Sequence, residues 1–490
     1  TKNNIKVDAI YATGIGVSKS INNNIKLNNI TTHGNSLKTI GAVSEDIEPA
    51  NAGINLDSVS HYTNITNNKI YSDDTNNTAK TVNVKANNND ILIANNIVDT
   101  NTLNGQDSIA LATGVDVKSE NNTRNIIIIT QDNYSQYFDA NGKMLDTIQA
   151  NLAITLSGEF TNKTFKVTKA NLLITGDNTA QIINGQILIN SKNTTLKNIK
   201  INDTDATFNY AIQNNGENTL IDNNTVYISK TTGIVNGIQN NADNVTIANN
   251  NVTVEGPSNN IPWSYDVSYA DTIAIITADS EDVLIENNTV TALHNNKTTP
   301  ASTGTIYAIE AYGMTVTINN NTVVVYSPKY AYAINTVGCE DVYVTNNNIK
   351  ATSERYIAGI QLGDAPDAEV LNNTINGVCA NTTALTNEEA IGYGVIVQSI
   401  MGMCDNTIIN NNIININSTI AYGVEVFSSR YSNITNNNIT LNGAYSIGVG
   451  LALSRPVNIT ANNIKIYGDS SQKINPITEN VQPAISGVVT

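Results

Sequence analysis

A short phrase that recurs along the chain restricts the fold more than any other feature of this sequence. In its full form it reads Ile-x-Asn-Asn-x-Ile/Val-x-Ile/Val, as in residues 221–228. Later copies follow at intervals of 26, 38, 33, 26, 26, 38, 26 and 25 residues. Repetition at such a period is typical of a solenoid, in which each repeat packs only on its neighbours.

The apolar residues of each phrase alternate with polar ones, which is the pattern of a strand with one buried face. Three short strands in each 26-residue step would form a coil that stacks on the next one at about 4.8 Å. β-Branched residues and Asn fill the repeat, whereas a helical solenoid needs Leu, Ala and Glu at helical spacing. The sequence therefore predicts an all-β fold, a right-handed parallel β-helix with coils of about 26 residues.

An Asn-Asn doublet marks one corner of each predicted coil. Equivalent residues of successive coils lie above one another, so a repeated Asn can bond its amide to the Asn above and below it. Asn also tolerates the left-handed backbone that a sharp corner requires. We expect one Asn of each corner to point inward and form a ladder: Asn223, Asn249, Asn287, Asn320, Asn346, Asn372, Asn410 and Asn436.

The character of the sequence changes once, between two stretches of repeats. Residues 1–129 carry the repeat loosely and are predicted to be the C-terminal part of a first β-helix segment. Residues 130–150 are predicted to be a junction with a short capping helix, because the end of a solenoid exposes unpaired backbone. Residues 151–490 are predicted to form a second β-helix segment, truncated at its C-terminal end. Both ends of the chain fall within repeats, so we expect an export signal and an anchor outside this segment.

The junction resembles a known group of proteins. Residues 134–142, Tyr-Ser-Gln-Tyr-Phe-Asp-Ala-Asn-Gly, are followed by residues 156–165, Leu-Ser-Gly-Glu-Phe-Thr-Asn-Lys-Thr-Phe. This pair of segments is similar to one that precedes a pectin-lyase-like right-handed β-helix in the adhesin-like surface proteins of methanogenic archaea. The Asn-Asn-x-Ile coils are also typical of that group. The resemblance implies a secreted or wall-attached protein of the cell surface, and it carries over no catalytic residue.

Composition restricts the partners. The 26 basic and 42 acidic residues give a net charge of −16, which argues against nucleic acid. No apolar run approaches the ~20 residues of a membrane-spanning helix. The cysteines follow no ligand or disulfide spacing, and we expect buried free thiols rather than a disulfide; they are Cys339, Cys379 and Cys404.

A fold of this class also supports polysaccharide lyases and hydrolases, so catalytic groups must be sought individually. Hydrolases of this shape need clustered carboxylates, and lyases typically need calcium and an Arg or Lys base. Each coil carries a second landmark, a small residue before an apolar one. The outward position after this landmark reads, coil by coil, Gln213, Gln239, Ile276, Glu310, Asn335, Gln361, Ile396, Glu425 and Gly450. Glu310 and Glu425 stand alone in this row, so we expect them to lie too far apart to cooperate.

Other acidic residues lie close together only along the sequence, and we interpret them as solvated carboxylates in turns. These are Asp73 with Asp74, Asp203 with Asp205, and Glu281 with Asp282. The histidines are scattered, and no nucleotide-binding or metal-binding motif is present. The sequence therefore predicts no catalytic residue, no metal site and no cofactor.

Asn-x-Ser/Thr sequons are frequent, but the corner phrase creates many of them automatically. Asn223, Asn287, Asn320 and Asn372 are expected to be inaccessible within the ladder. Glycosylation is predicted instead at sequons outside it, at Asn133, Asn193, Asn296 and Asn381.

Four long spacers interrupt the coils between the Asn-Asn corner and the small residue. They cover residues 255–271, 293–305, 377–391 and 467–484, and stacking would place them along one edge of the solenoid. The first contains Trp263, Tyr265 and Tyr269, which are candidate contacts for a sugar ring or a protein partner. The alternative is a loop folded over its own coil with Trp263 buried.

These features favour a non-catalytic extracellular adhesin or stalk at the cell surface. It would bind a glycan or a protein of a partner cell surface, or the wall of the producing organism, along one edge of the solenoid. The alternatives are a carbohydrate-active enzyme of pectin-lyase-like fold and a structural subunit of a cell envelope or filament.

The Trp263→Ala variant tests the binding edge. An aromatic anchor at an interface typically contributes about 2 kcal/mol or more, so attachment to the partner glycan or cell should weaken roughly 30-fold. The melting temperature, followed by circular dichroism, should stay nearly unchanged. A large fall in melting temperature would show instead that Trp263 belongs to the core.

Overall fold

A computed structural model of the chain describes residues 1–35, 50–57, 59–75, 78–100, 108–122, 126–148, 150, 152–204, 206–231, 233–257, 272–295, 305–379, 390–399, 404–468 and 484–490. The chain divides into two compact units. Unit 1 comprises Thr1–Ile129, Leu145–Thr155 and Lys169–Thr175, and unit 2 comprises Thr130–Met144, Leu156–Thr168 and Gly176–Thr490.

Unit 1 contains three four-stranded sheets, in which each strand pairs in parallel with strands about one coil away. Their strands are Asn4–Ala9, Asn29–Gly34, Lys69–Asp74 and Ile97–Thr100; Thr13–Val17, Ala52–Leu56, Lys80–Val84 and Ile109–Leu111; and Asn24–Lys26, Thr63–Thr66, Ile91–Ala94 and Val117–Glu120. Three further strands begin in this unit, Ile126–Ile129, Ala153–Leu156 and Leu173–Gly176.

Unit 2 is built from three parallel sheets, here called sheets I, II and III, and each coil contributes one strand to each sheet in that order. Sheet I contains Thr195–Lys197, Leu220–Asp222, Val245–Ala248, Val283–Glu286, Thr315–Asn319, Asp341–Thr345, Glu369–Leu371, Ile408–Asn410, Ser432–Thr435 and Val457–Thr460. Sheet II contains Glu159–Thr161, Gln181–Ile183, Lys200–Asp203, Thr225–Ser229, Asn251–Gly256, Thr289–His294, Thr322–Ser327, Asn348–Ser353, Thr374–Cys379, Ile413–Ser418, Asn438–Gly443 and Asn463–Gly468. Sheet III contains Thr164–Val167, Gln186–Ile189, Tyr210–Asn214, Val235–Asn240, Thr272–Ser280, Thr305–Gly313, Tyr330–Val337, Tyr356–Gly363, Ile391–Gln398, Ile420–Phe427, Tyr445–Ala452 and Ile485–Val489.

The alternating apolar residues of the repeat form the core of unit 2. On sheet I, Ile221 pairs with Ile247, which pairs with Ile285, and all three are fully buried. The same alternation on sheet II buries Val226 and Val252. Equivalent apolar side chains therefore stack in rows through the interior, and the predicted parallel β-helix is confirmed.

A buried Asn ladder does run through the corner between sheets I and II, but it is formed by the second Asn of each doublet. The Oδ1 atom of Asn373 accepts hydrogen bonds from the backbone N–H and the Nδ2 group of Asn347, at 2.9 and 3.0 Å. The Nδ2 group of Asn347 also donates to the carbonyl oxygen of Ile318. The ladder comprises Asn224, Asn250, Asn288, Asn321, Asn347, Asn373, Asn412, Asn437 and Asn462.

The expectation that the first Asn points inward is therefore wrong. The first Asn of each corner has a φ between 52° and 58° and lies exposed; these residues are Asn223, Asn249, Asn287, Asn320, Asn346, Asn372 and Asn436. Asn410 lies one residue before its corner, at the end of a sheet I strand. The left-handed residue makes the sharp bend and keeps its own side chain outside, so the next side chain enters the interior. The sequons at Asn223, Asn287, Asn320 and Asn372 are consequently on the surface.

The junction contains less helix than its sequence predicts. Among residues 130–148 and 150, only Tyr134–Gln136 forms a helical turn, of the 3-10 type, and Asn133 makes no side-chain capping bond to it. Tyr134 and Phe138 stack on each other and meet Phe165 edge to face. Gly142 is required here because a Cβ atom at this residue would lie 2.2 Å from the carbonyl oxygen of Thr164. The two halves of the junction motif thus pack directly against each other within unit 2.

The cysteines are free and buried, as expected. Cys379 ends a sheet II strand, whereas Cys404 lies just before a sheet I strand, so they do not occupy equivalent positions. Burial raises the pKa of the Cys379 thiol to about 12 and that of Cys404 to about 11.

A matched pair of variants tests which Asn carries the ladder. In Asn373→Ala, the amide groups of Asn347 lose their acceptor, and at about 1–3 kcal/mol per unsatisfied group the coil should lose roughly 3 kcal/mol. Asn372→Gly removes the exposed side chain but suits the left-handed backbone, so its effect should stay below about 1 kcal/mol. Hydrogen exchange of the Asn347 amide reports the difference locally. Equal acceleration in both variants would contradict this assignment.

Candidate binding face on sheet III

The small residue of the second landmark creates an irregularity in each strand of sheet III. The strand register pairs Tyr332 with Tyr307 and Ile334 with Ile309, while the small residue between them is left out of the pairing. This residue has no room for a side chain, because a Cβ atom on Gly423 would lie 2.5 Å from both Ile439 and the carbonyl of Gly448. The small and the following apolar residue therefore face the interior. The residues on either side of this pair lie on the outer face of the sheet.

Tyrosine side chains form a row along this outer face. The register aligns Ile273, Tyr307, Tyr332, Ala358, Tyr393, Tyr422 and Ile447. The rings of Tyr307 and Tyr332 stack at 4.9 Å, and those of Tyr393 and Tyr422 at 4.7 Å. Tyr356, from the neighbouring row, lies within 5.5 Å of both stacks and bridges the gap at Ala358. The outer face of sheet III therefore carries a continuous aromatic cluster whose side chains are nevertheless largely buried.

A second outward row lies beside the tyrosines and carries polar groups. The register aligns Gln213, Gln239, Ile276, Glu310, Asn335, Gln361, Ile396, Glu425 and Gly450, as the sequence predicts. Sequence reasoning missed the burial of this row. Glu310 is 2% exposed, Asn335 3%, Gln361 4% and Glu425 0%.

Glu310 is held by two donors on one of its oxygens. The hydroxyl of Tyr312 donates to Oε1 at 2.9 Å, and Nδ2 of Asn335 donates to the same atom at 3.1 Å. The other oxygen, Oε2, is buried and has no hydrogen-bond partner among the described residues. Desolvation raises the pKa of Glu310 to about 7, although both hydrogen bonds oppose the rise.

Three neighbouring residues of this row share an unusual property. Oε2 of Glu310, Oδ1 of Asn335 and Oε1 of Gln361 are buried acceptor atoms without a donor, on three consecutive strands. Buried polar atoms in folded proteins are nearly always bonded, and leaving one unpaired costs about 1–3 kcal/mol. These three acceptor atoms are therefore the candidate ligand contacts on the outer face of sheet III.

An acid-rimmed groove of about 590 Å³ lies where sheet III turns towards sheet I. Tyr312 and Met314 line it, together with carboxylate side chains from several coils: Asp243, Asp279, Glu281, Glu340 and Asp364. Because the hydroxyl of Tyr312 donates to Glu310, this ring connects the groove to the row of acceptors. The groove and the acceptor row therefore form one candidate site.

The two glutamates of the polar row do not form a catalytic pair. Four strand steps separate Glu310 from Glu425 in the register. At about 4.8 Å per strand, that is roughly 19 Å. Paired glycosidase carboxylates lie about 5–9.5 Å apart. Among the described residues, no group of three or more His, Cys, Asp and Glu side chains is arranged to hold a metal ion.

Two carboxylates interpreted above as solvated are in fact buried. Asp74 accepts bonds from Thr78 and Asn51 in unit 1. Asp203 lies at the end of a sheet II strand, where burial raises its pKa to about 6 despite the nearby charge of Lys230. Both occupy inward positions of their strands, a distinction that closeness in sequence cannot reveal.

The four long spacers share one turn, as predicted. Each joins a sheet II strand to a sheet III strand, as Asn251–Gly256 and Thr272–Ser280 show for the first. Trp263, Tyr265 and Tyr269 lie outside the described residues, so their placement stays a prediction. This turn and the acid-rimmed groove lie at opposite ends of the sheet III strands.

The predicted glycosylation sites differ in accessibility. Asn193 is exposed, whereas Asn133 is half-buried and its Oδ1 atom accepts a hydrogen bond from the Thr130 amide. Asn296 and Asn381 lie outside the described residues. No helix in the described part of the chain is long and apolar enough to span a membrane.

No family model and no curated protein matches the sequence. Similar solved structures include the surface protein and adhesin PfbA of Streptococcus pneumoniae, at 12% identity and a TM-score of 0.44, covering 74% of this chain and 94% of that one. They also include a mannuronic acid-specific polysaccharide family 6 lyase from human gut microbiota, at 11% identity and a TM-score of 0.35, covering 70% and 83%. A capsular polysaccharide depolymerase, the tailspike of Acinetobacter baumannii bacteriophage Fri1, has 12% identity and a TM-score of 0.32, covering 72% and 62%. A function for this chain must therefore be argued from its own residues.

Replacing the buried acid should stabilise the protein in a pH-dependent way. Because the folded-state pKa of Glu310 is raised to about 7 from 4.5, stability is full below pH 4.5 and falls as pH rises through 7. Glu310→Gln keeps an acceptor for Tyr312 and removes this loss, on the order of 3 kcal/mol above pH 7. Urea unfolding between pH 4.5 and 8 measures it, with the exposed Glu217→Gln as control. A pH-independent difference would contradict the raised pKa.

Proposed function

We propose that this protein is a non-catalytic extracellular surface protein, an adhesin or stalk, that binds a glycan on the outer face of sheet III. The observation that carries the proposal is the row of buried acceptors without donors on Glu310, Asn335 and Gln361. Glycans present many hydroxyl donors, and a rigid row of acceptors can orient them with little loss of entropy. Tyr330 and Tyr356, the partly buried tyrosines at the edge of the aromatic cluster, supply apolar surface that sugar rings pack on.

The location at the cell surface is part of this proposal. The resemblance of the junction to adhesin-like proteins and the surface sequons of the Asn corner support it. A protein of a partner cell, or the wall of the producing organism, would supply the glycan.

The spacing of the carboxylates supports a binding role over a catalytic one. Along the outer row, Glu310 has Ile276 and Asn335 as its neighbours, so no second carboxylate adjoins it there. Glycoside hydrolysis requires a second carboxylate beside the general acid, and this row does not supply one.

The second candidate is a carbohydrate-active enzyme. One observation favours it: a pKa of about 7 suits a general acid, and Glu310 has it. A purely structural role in an envelope or filament is the third possibility, and it gives no account of the unsatisfied acceptors.

A combined binding and turnover assay tests the proposal. The purified chain should bind at least one glycan on an array and release no shorter products from it. Gln361→Leu removes one acceptor and should weaken binding about tenfold, whereas Gln181→Leu on sheet II should not. Release of oligosaccharides would favour the enzyme. Failure to bind any glycan would overturn the proposal.

A further inference from the structure

We propose that the row of Glu310, Asn335 and Gln361 selects a glycan carrying free, protonated amino groups and rejects uronans. This inference rests on the function proposed above and specifies the ligand class of the same site.

The chemistry of the unsatisfied atoms points to a ligand that donates. All three uncommitted atoms are acceptors, one carboxylate oxygen and two amide oxygens. An ammonium group has three donors and no acceptor, so it matches this set without leaving an atom of its own unpaired. A uronate carboxylate only accepts, so it offers no donor to the two amide oxygens, and once Glu310 is ionised it would meet a charge of the same sign.

The order of the acceptors matches a polymer rather than a single group. Glu310, Asn335 and Gln361 follow one another on consecutive strands, at a spacing of about 4.8 Å. An extended glycan with an amino group on each residue presents its donors in the same linear order.

The charge around the site favours a cation. The groove beside Tyr312 carries five carboxylate residues, and the whole chain has a net charge of −16. A cleft of one sign concentrates ligands of the opposite sign and repels those of its own.

Two basic residues lie at the opposite end of the sheet III strands from the groove, and they do not change the preference of the site for a cation. Lys329 and Arg355 each precede the acceptor of their strand by six residues, Asn335 and Gln361 respectively. At about 3.3 Å per residue their backbones lie roughly 20 Å along the strands from these acceptors, so their charges act only weakly on a ligand there.

Tyr312 provides a route from the groove to the buried row. Its half-buried ring lines the groove, and its hydroxyl donates to Oε1 of Glu310. Rotation of this one side chain would expose Glu310 to an ammonium group already held among the carboxylates. The ligand would then replace the phenol as a donor to Glu310.

The test compares three probes of equal length: chitosan oligomers, fully acetylated chitin oligomers and oligogalacturonates. Titration calorimetry with the whole chain should show chitosan binding at least tenfold tighter than chitin, and no binding of oligogalacturonate. Glu310→Gln should weaken chitosan binding tenfold or more while leaving chitin binding within twofold. A cooperative urea unfolding transition shows separately that the Glu310→Gln variant is folded.

Glu217→Gln is the matched control for general attraction between a polycation and an acidic protein. The substitution also removes one negative charge, at an exposed residue, and it should change chitosan affinity less than twofold. Equal effects of Glu310→Gln and Glu217→Gln would overturn the inference, as would equal affinity for chitosan and chitin. In both cases glycan binding itself would stand. Failure of all probes and of the wider array would instead overturn the proposed function.

Discussion

The buried amide ladder is the interaction on which the architecture of unit 2 depends. Each inner Asn forms a hydrogen bond with the inner Asn of the next coil, as the Nδ2 group of Asn347 does with Oδ1 of Asn373. The same Nδ2 group also donates to a backbone carbonyl oxygen of the previous coil, which for Asn347 is that of Ile318. A slip of one residue at a corner would replace an inner Asn by its neighbour, such as Asn372 or Thr374 for Asn373, and would turn the apolar side chains of the next strand outward. The ladder therefore sets the register of sheets I and II, and unit 1 uses the same device at Asn28, Asn68, Asn96 and Asn122.

A corner that is fixed in this way decides where the coils can vary. The intervals between ladder residues range from 25 to 39, yet the corner itself keeps its geometry throughout. The long spacers are instead found at the turn from sheet II to sheet III, away from the ladder. The largest variation in length therefore lies on one side of sheet III. On the opposite side most turns are short, with a longer one between Ile391–Gln398 and Ile408–Asn410, and this side carries the acid-rimmed groove.

The outer face of sheet III departs from the rule that governs the rest of unit 2. At the corner between sheets I and II, buried polar groups are satisfied by stacking on their equivalents in the next coil, as the ladder amides are. In the outer row this self-pairing fails, because Glu310, Asn335 and Gln361 are different residues and together present more acceptors than donors. A row that broke the repeat without a use would only destabilise the protein, and departures of this kind are typical of functional sites.

The sequence alone determined the class of fold, the strand alignment and the turn that holds the insertions, because these depend on the period of the apolar residues and on coil length. Even the outer row of sheet III could be read coil by coil, from Gln213 to Gly450. Three things were decided only by the tertiary structure. Which Asn of a doublet enters the core depends on which residue adopts the left-handed backbone, and both Asn residues tolerate it. The burial of Glu310 and the lack of a donor for its Oε2 atom depend on neighbours from several coils. The acid-rimmed groove likewise gathers residues from 243 to 364, and only stacking of the coils brings them together.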